Sequence, residues 1–229
     1  MFFATVTLWP MSSSSTTVTD RHFQYLAERT RPEPPVLRDL KEAATKAGIP
    51  QIWISPEQAS FMQILLRLVR AREVVEVGTL AGYSAIAMAQ ALPADGRVRT
   101  IEVDEDHAAF AREWVARSEV NERVEVICGD GREVLPGIGD ASVDAAFIDA
   151  DKAGYPVYAR ECLRLLRPGG LLMADNAFAF GELFTAGAVE ESARHIRAFN
   201  DEMAALPGVH AIIVPIGDGC WVGVKDADP

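Results

Sequence analysis

From residue 73 onward the chain alternates short β-branched runs with helical stretches. That alternation constrains the fold more than any other feature. Glu73–Val77 is a short β-branched run followed by a glycine turn, and residues 83–91 behind it carry a helical pattern. Residues 97–103 and 123–128 are further strands, with a helix over 105–118 between them. Residues 142–149 form a fourth strand, followed by a helix through Leu166 that Pro168-Gly169-Gly170 ends. A fifth strand begins at residues 171–174, and a helix follows near 189–205. The last two apolar runs, 209–216 and 220–224, flank a Gly-Asp-Gly and read as an antiparallel hairpin at the sheet edge. Strands separated by crossover helices imply an α/β fold: a doubly wound, mostly parallel seven-stranded sheet with helices on both faces.

The residues ahead of this core are helical additions to it. Residues 1–19 contain a Ser/Thr tract and read as a flexible N-terminal arm. Asp20 opens a helix through about Thr30, and Pro34-Pro35 opens another through Lys46, ended by Gly48. A third starts at Ser55-Pro56-Glu57. Its Phe61, Ile64, Leu65, Leu68 and Val69 recur at helical spacing and predict one buried face. The expected organisation is one domain over residues 20–229, with helices over 20–72 and the sheet core over 73–229.

Composition narrows the function classes. Lys and Arg number 22 against 33 Asp and Glu, a net charge of −11. That balance argues against nucleic acid and anionic membrane surfaces as partners, since both favour basic proteins. The apolar start at residues 2–9 is short and has no basic residue before it, which is weak for a signal peptide. Met11 offers an alternative start. The uncharged run 77–94 is broken by Gly78, Gly82, Gln90 and Pro93, so it is not a spanning helix. Three cysteines without a CxxC pair and four scattered histidines exclude a disulfide framework, a zinc cluster and HExxH chemistry. A cytoplasmic location is expected.

Chemistry in an open α/β sheet sits outside the carboxyl ends of its strands. Nearly every predicted strand here delivers an acid to that edge: Glu76 before Gly78, Glu102, Asp130 before Gly131, Asp149, and Asp175 with Asn176. Carboxylates crowded at one edge repel, so a purely structural sheet has no need of the pattern. The first turn reads G-x-x-x-G, neither the dinucleotide G-x-G-x-x-G nor a P-loop. Its glycines permit close backbone approach to a ligand, and Glu102, 20 residues after Gly82, is placed to grip a ribose diol. The alternative is a tight strand–helix turn without a ligand. Asp149, Asp175 and Asn176 end two consecutive strands, and their oxygens suit a hard cation such as Mg²⁺. They could equally be a turn and a helix cap. Lys152 follows Asp149 by three residues; a lysine beside a divalent cation can accept a proton, and otherwise it is a surface lysine.

The stretches EVGTLAGYSAIAMAQALP, TIEVDEDHAAFAREWV, FIDADKAGYPVYARECLRLLRPGGLLMADN and PIGDG occur in this order. Over about residues 50–225 the chain resembles the cation-dependent O-methyltransferases typified by catechol and caffeoyl-CoA O-methyltransferases. The resemblance implies a class I, Rossmann-like methyltransferase fold using S-adenosylmethionine and a divalent cation, Mg²⁺ foremost, often as a homodimer. It implies that Glu76, Gly78, Thr79, Ser84, Glu102, Asp130, Gly131 and Asp149 line the cofactor. It further implies that Asp149, Asp175 and Asn176 hold the metal and that Lys152 is the general base. The acceptor would be a small catechol-like or hydroxylated aromatic molecule. One stretch departs from the family: Ala177-Phe178-Ala179-Phe180-Gly181 stands where Leu-Trp-x-Gly is frequent. Phe178, Phe180, Trp53, Trp221 and Asp218 are candidates for the acceptor pocket, and the aromatic ones could instead be core. Two rival readings stand beside this one: a non-catalytic S-adenosylmethionine-binding protein, and an NAD(P)-dependent oxidoreductase.

Overall fold

The structure, a computed structural model, describes residues 18–187 and 189–227. Of the arm expected over residues 1–19, only Val18 and Thr19 fall within them, and the alternative start at Met11 falls outside. The chain divides into two compact units. The first, ending at Pro32, contains helix α1 (Asp20–Ala27). The second starts at Glu33 and contains everything else.

In that second unit, helices α2 (Pro35–Lys46) and α3 (Pro56–Leu68) precede the alternating core. The core runs β1 (Glu73–Val77), α4 (Tyr83–Ala89), β2 (Arg97–Glu102), α5 (Glu105–Arg117), β3 (Val124–Cys128), α6 (Gly131–Val134) and β4 (Val143–Ile148). It continues with α7 (Tyr155–Leu165), β5 (Leu166–Ala174), α8 (Glu191–Ala204), β6 (Val209–Val214) and β7 (Cys220–Lys225). The seven strands form one sheet in the order β3-β2-β1-β4-β5-β7-β6. The first five are parallel, and β7 pairs antiparallel with both β5 and β6. The terminal hairpin is therefore present, with β7 inserted beside β5 and β6 at the edge.

Strand side chains alternate between the faces, so each face needs its own helical cover. Val74, Phe147 and Met173 point into a core shared with Leu40, Met62, Leu66 and Ile86 from α2, α3 and α4. Val75, Ile148 and Leu172 point the other way, against Tyr155, Cys162, Ile196 and Phe199 from α7 and α8. Glu33 fastens α2 to α4: its Oε1 accepts from Tyr83 Oη at 2.7 Å and pairs with Lys41 Nζ at 2.7 Å. Among the described residues, no helix is long and apolar enough to cross a membrane. All three cysteines are free, and burial pushes the Cys162 thiol up to about 12, which makes it an inert core residue.

Two expectations from the sequence are corrected. Helix α3 buries Gln58, Ala59, Met62 and Leu66, whereas Ile64 and Leu68 are 57% and 73% exposed. Apolar residues surround most of this helix, so spacing alone admits more than one buried face. The partners choose the face carrying small Ala59 and adaptable Met62. Met62→Ala is accordingly expected to destabilise by about 2–5 kcal/mol, against about 0.5 kcal/mol or less for Ile64→Ala, in urea unfolding. The second correction concerns Pro168-Gly169-Gly170, which does not end a helix. Helix α7 stops at Leu165, and Pro168 through Gly170 lie inside β5, which is already paired at Leu166 with Val143. Lys225 Nζ, from the distant end of β7, donates to the carbonyls of Leu163 and Leu166 at 2.9 and 2.8 Å. A cation there satisfies carbonyls that a helix C-terminus leaves open.

Candidate active site

The chain reverses direction of winding between β1 and β4, the position where an open α/β sheet leaves a crevice. A cavity of about 470 Å³ opens there, at the carboxyl ends of the strands. Gly78, Thr79, Ser84, Glu102, Asp130, Gly131, Asp149, Lys152, Asn176, Phe180 and Trp53 all line it.

Strand β1 passes directly into the glycine turn. Gly78 has φ +98°, and a Cβ there would lie 1.9 Å from the Asp149 carbonyl oxygen, so only glycine lets the two strand ends approach. Glu102 organises the next residues. Its Oε2 accepts from the backbone N–H of Thr79 at 3.1 Å and of Leu80 at 2.7 Å, and its Oε1 from Asp104 N–H at 3.0 Å. This answers how a carboxylate only 8% exposed is tolerated: it collects charge-assisted hydrogen bonds from a turn that needs acceptors. Asp130 caps α6 through Arg132 N–H at 2.8 Å and pairs with the Arg132 side chain at 3.1 Å. Gly131 packs where a Cβ would meet Val77 and Tyr158.

Glu76 lies beneath this turn rather than on the cavity wall. It is fully buried, and neither carboxylate oxygen has a hydrogen-bond partner among the described residues. Burial pushes its carboxyl up to about 8; the Ser84 and Thr100 hydroxyls pull it down without closing a hydrogen bond, and the charges of Asp149 and Glu102 add to the rise. An unpartnered buried carboxylate beside a cavity asks for a cationic or hydrogen-bonding ligand. The residues around the cavity thus fit a positively charged nucleoside ligand.

On the β4 and β5 side, Ile148 pairs with Ala174, so Asp149 and Asp175 follow at matching positions on adjacent strands. Asp175 N–H donates to Ile148 O at 3.0 Å. Asp175 is only 6% exposed, and its carboxyl is pushed up by burial and by the Asp149 charge. Asn176 has φ +62°. Two carboxylates and one amide oxygen are a hard donor set that fits a divalent cation. Among the described residues no three His, Cys, Asp or Glu side chains gather into a metal group, so an ion here would keep water or acceptor oxygens in its shell.

Lys152 reaches this cluster from the turn before α7. Its Nζ donates to Asp149 Oδ1 at 3.1 Å and to Tyr155 Oη at 2.7 Å, and its side chain is 11% exposed. Tyr155 is fully buried, its ring packed edge-on to Phe199, and burial with the nearby Asp149 and Asp175 charges holds its phenol neutral, well above the usual range. The segment after Asn176 is strained: Ala179 and Phe180 both have positive φ, 54° and 56°. Asp218 holds it, accepting from Phe180 N–H at 2.9 Å and from Asn176 Nδ2 at 3.4 Å.

Three acceptor candidates are placed away from the cavity wall. Asp218 stands behind Asn176 and Phe180 in the contacts just described. Phe178 packs on Gly219, and Trp221 is a core residue whose indole N–H donates to Asn200 Oδ1 at 2.7 Å. Two residues absent from the sequence reading belong to the site, Tyr155 and Gln58. Gln58 is 1% exposed and donates through Nε2 to Asp175 Oδ1 at 2.8 Å. A signal existed for each. Gln58 is a polar residue at i−4 from Met62, and Tyr155 lies one turn beyond Lys152.

A family model described as O-methyltransferase matches residues 27–225, most of the chain. The chain belongs to the O-methyltransferase family. This O-methyltransferase is 37% identical to catechol O-methyltransferase of Niastella koreensis, over 89% of its own length and 91% of the relative's. It superposes on an O-methyltransferase from Bacillus cereus in complex with S-adenosylhomocysteine, with TM-score 0.81 and 34% identity over 89% of this chain and 96% of that one. An O-methyltransferase from Streptomyces achromogenes involved in tomaymycin synthesis, in complex with S-adenosylmethionine, matches at TM-score 0.81 and 29% identity, over 89% and 95% of the two chains. The enzyme is thus an S-adenosylmethionine-dependent O-methyltransferase with the class I fold. The nicotinamide and non-catalytic alternatives fall with that membership.

Proposed function

We propose that this O-methyltransferase methylates one hydroxyl of a small aromatic acceptor bearing adjacent hydroxyls, with the help of a divalent cation, Mg²⁺ foremost. The observation that carries this reading is the cluster of Asp149, Asp175 and Asn176 with Lys152 Nζ 3.1 Å from Asp149. The catechol O-methyltransferase names of its relatives support the acceptor class.

In this reading the methyl donor occupies the cavity. Gly78, Thr79 and Ser84 receive its methionine part with Glu76 beneath, Glu102 its ribose hydroxyls, and Asp130 with Gly131 its adenine. Asp149, Asp175 and Asn176 hold the cation, which when bound supplies Lewis-acid stabilisation of an acceptor oxyanion. Lys152 Nζ takes the acceptor's hydroxyl proton, and Tyr155 Oη and Asp149 keep it pointed at the cluster. The acceptor oxygen then forms its bond to the methyl carbon as the carbon–sulfur bond breaks, and the electron pair stays on sulfur. Trp53 and Phe180 line the cavity and offer apolar contact to an aromatic ring. The proposal includes a homodimer.

Chelation is the direct test. Excess EDTA, or Asp149→Ala, is expected to abolish methyl transfer to a catechol. S-adenosylhomocysteine at about 100 times its Kd should still stabilise the protein by about 2.7 kcal/mol in thermal unfolding. Full turnover in excess chelator removes the metal from the reading.

A further inference from the structure

Helix α3 lies outside the alternating core, yet it sends one polar side chain into the acidic end of the sheet. Gln58 sits in its first turn, where Ser55 Oγ accepts from the Gln58 backbone N–H at 3.1 Å and so fixes the start of the helix. The side chain is almost completely buried, on the same face as Met62 and Leu66. A buried amide without partners is costly, so this one needs a reason to be where a leucine would pack.

Its reason lies 117 residues further along the chain, where Gln58 Nε2 donates to Asp175 Oδ1 at 2.8 Å. The other end of the amide meets the turn between β6 and β7. A Cβ on Gly217 would stand 2.2 Å from Gln58 Oε1, and Gly217 has φ +56°. The amide is therefore clamped between a carboxylate and a glycine turn that leaves room for it. The same turn carries Asp218, the residue that holds Asn176 and Phe180.

We propose, on the reading that Asp149, Asp175 and Asn176 hold a divalent cation, that Gln58 is the positioning residue of that centre. By taking one oxygen of Asp175, it presents the carboxylate in a single orientation. An amide suits the task because it donates a hydrogen bond without cancelling charge. A lysine or arginine at position 58 would place a fixed positive charge on Asp175 and compete with the cation. An apolar residue would leave a buried carboxylate without its donor. Helix α3, which precedes the alternating core, thereby takes part in the chemistry of the sheet.

The test uses Mn²⁺ as the probe on the full chain, with free Mn²⁺ followed by electron paramagnetic resonance. Gln58→Met keeps the length of the side chain and removes the donor. It is expected to weaken Mn²⁺ binding by about 10–100-fold, the usual effect of removing a partner that orients a metal ligand. S-adenosylhomocysteine affinity, read by calorimetry, should change by less than about threefold, and kcat should recover as Mn²⁺ is raised. A merely structural glutamine would lower stability and leave the Mn²⁺ affinity where it was. Mn²⁺ affinity within about twofold of the wild type therefore overturns the proposal. Should Gln58→Met fail to fold, Gly217→Ala takes its place. Its added Cβ displaces Oε1, and it carries the same expected weakening and the same overturning result. A wild-type chain that binds no Mn²⁺ overturns the metal reading itself and this proposal with it, which the variants alone do not do.

Discussion

Lys152→Ala is expected to lower kcat by about 10²–10⁴-fold, the usual contribution of a general base. Donor binding should survive, because the donor's proposed contacts are on the glycine turn, Glu102 and the start of α6. The side chain is held by two partners, Asp149 Oδ1 and Tyr155 Oη, so its Nζ has a defined position before any acceptor arrives. The same contacts suggest a rival role: Lys152 could merely neutralise Asp149. Lys152→Arg separates the two. Arginine keeps the positive charge and can pair with Asp149, but it cannot be deprotonated in a protein. If Lys152 takes the acceptor's proton, the arginine variant is about as inactive as the alanine one. If it only balances charge, arginine restores most of the activity. A loss of less than about tenfold in Lys152→Ala reduces the residue to part of an ion pair. Single-turnover methyl transfer, with donor affinity measured separately, reads both variants.

Much of this site could be read in the sequence because its residues follow strands. Each of β1, β2, β3, β4 and β5 is a recognisable run, and parallel pairing brings their next residues to one edge. The acids at those five ends were visible for that reason. What stayed hidden depends on contacts between distant segments. The face of α3 is decided by the core it meets, since apolar residues at Ile64 and Leu68 compete with Met62 and Leu66 for burial. Gln58 looks like an ordinary helix residue until β5 supplies Asp175. The end of α7 lies within one residue of where the sequence puts it, but the start of β5 at Leu166, before Pro-Gly-Gly, depends on pairing with distant Val143. Asp218 is an acceptor candidate through the resemblance of its PIGDG stretch, and Trp221 through its aromatic ring. In the fold, Asp218 accepts from Asn176 and Phe180, and the Trp221 indole donates to Asn200. Helix α8 supplies that partner and could not have been matched to it by spacing.

Glu76→Gln is expected to stabilise the unliganded enzyme at alkaline pH and to weaken its hold on the donor. Burial raises the Glu76 carboxyl from an ordinary 4.5 to about 8 in the folded chain. Below pH 4.5 the group is protonated in both states and has no effect on the equilibrium. Between 4.5 and 8 the unfolded chain has lost a proton that the folded chain keeps, so stability falls as pH rises through that window. The full loss, reached above pH 8, is on the order of 5 kcal/mol. Asp175 is shifted in the same direction, so the wild-type slope alone does not isolate Glu76; the difference between wild type and Glu76→Gln does. Urea unfolding at pH 5 and pH 8 should show the variant losing less stability than the wild type over that interval. Donor binding should move the other way. S-adenosylmethionine brings an ammonium and a sulfonium, and a cation near Glu76 favours its ionised form. Wild-type binding at pH 7 should then release a proton, and the affinity should rise toward pH 8. A hydrogen bond to a charged group contributes about 1.5–3 kcal/mol, so Glu76→Gln should weaken the donor by roughly 10–150-fold and abolish the proton release. Calorimetry in buffers of different ionisation enthalpy measures both. If the variant binds the donor with wild-type affinity and the wild type releases no proton, Glu76 is no part of donor recognition, and its unpartnered carboxyl is a structural burden that Ser84 and Thr100 only partly relieve.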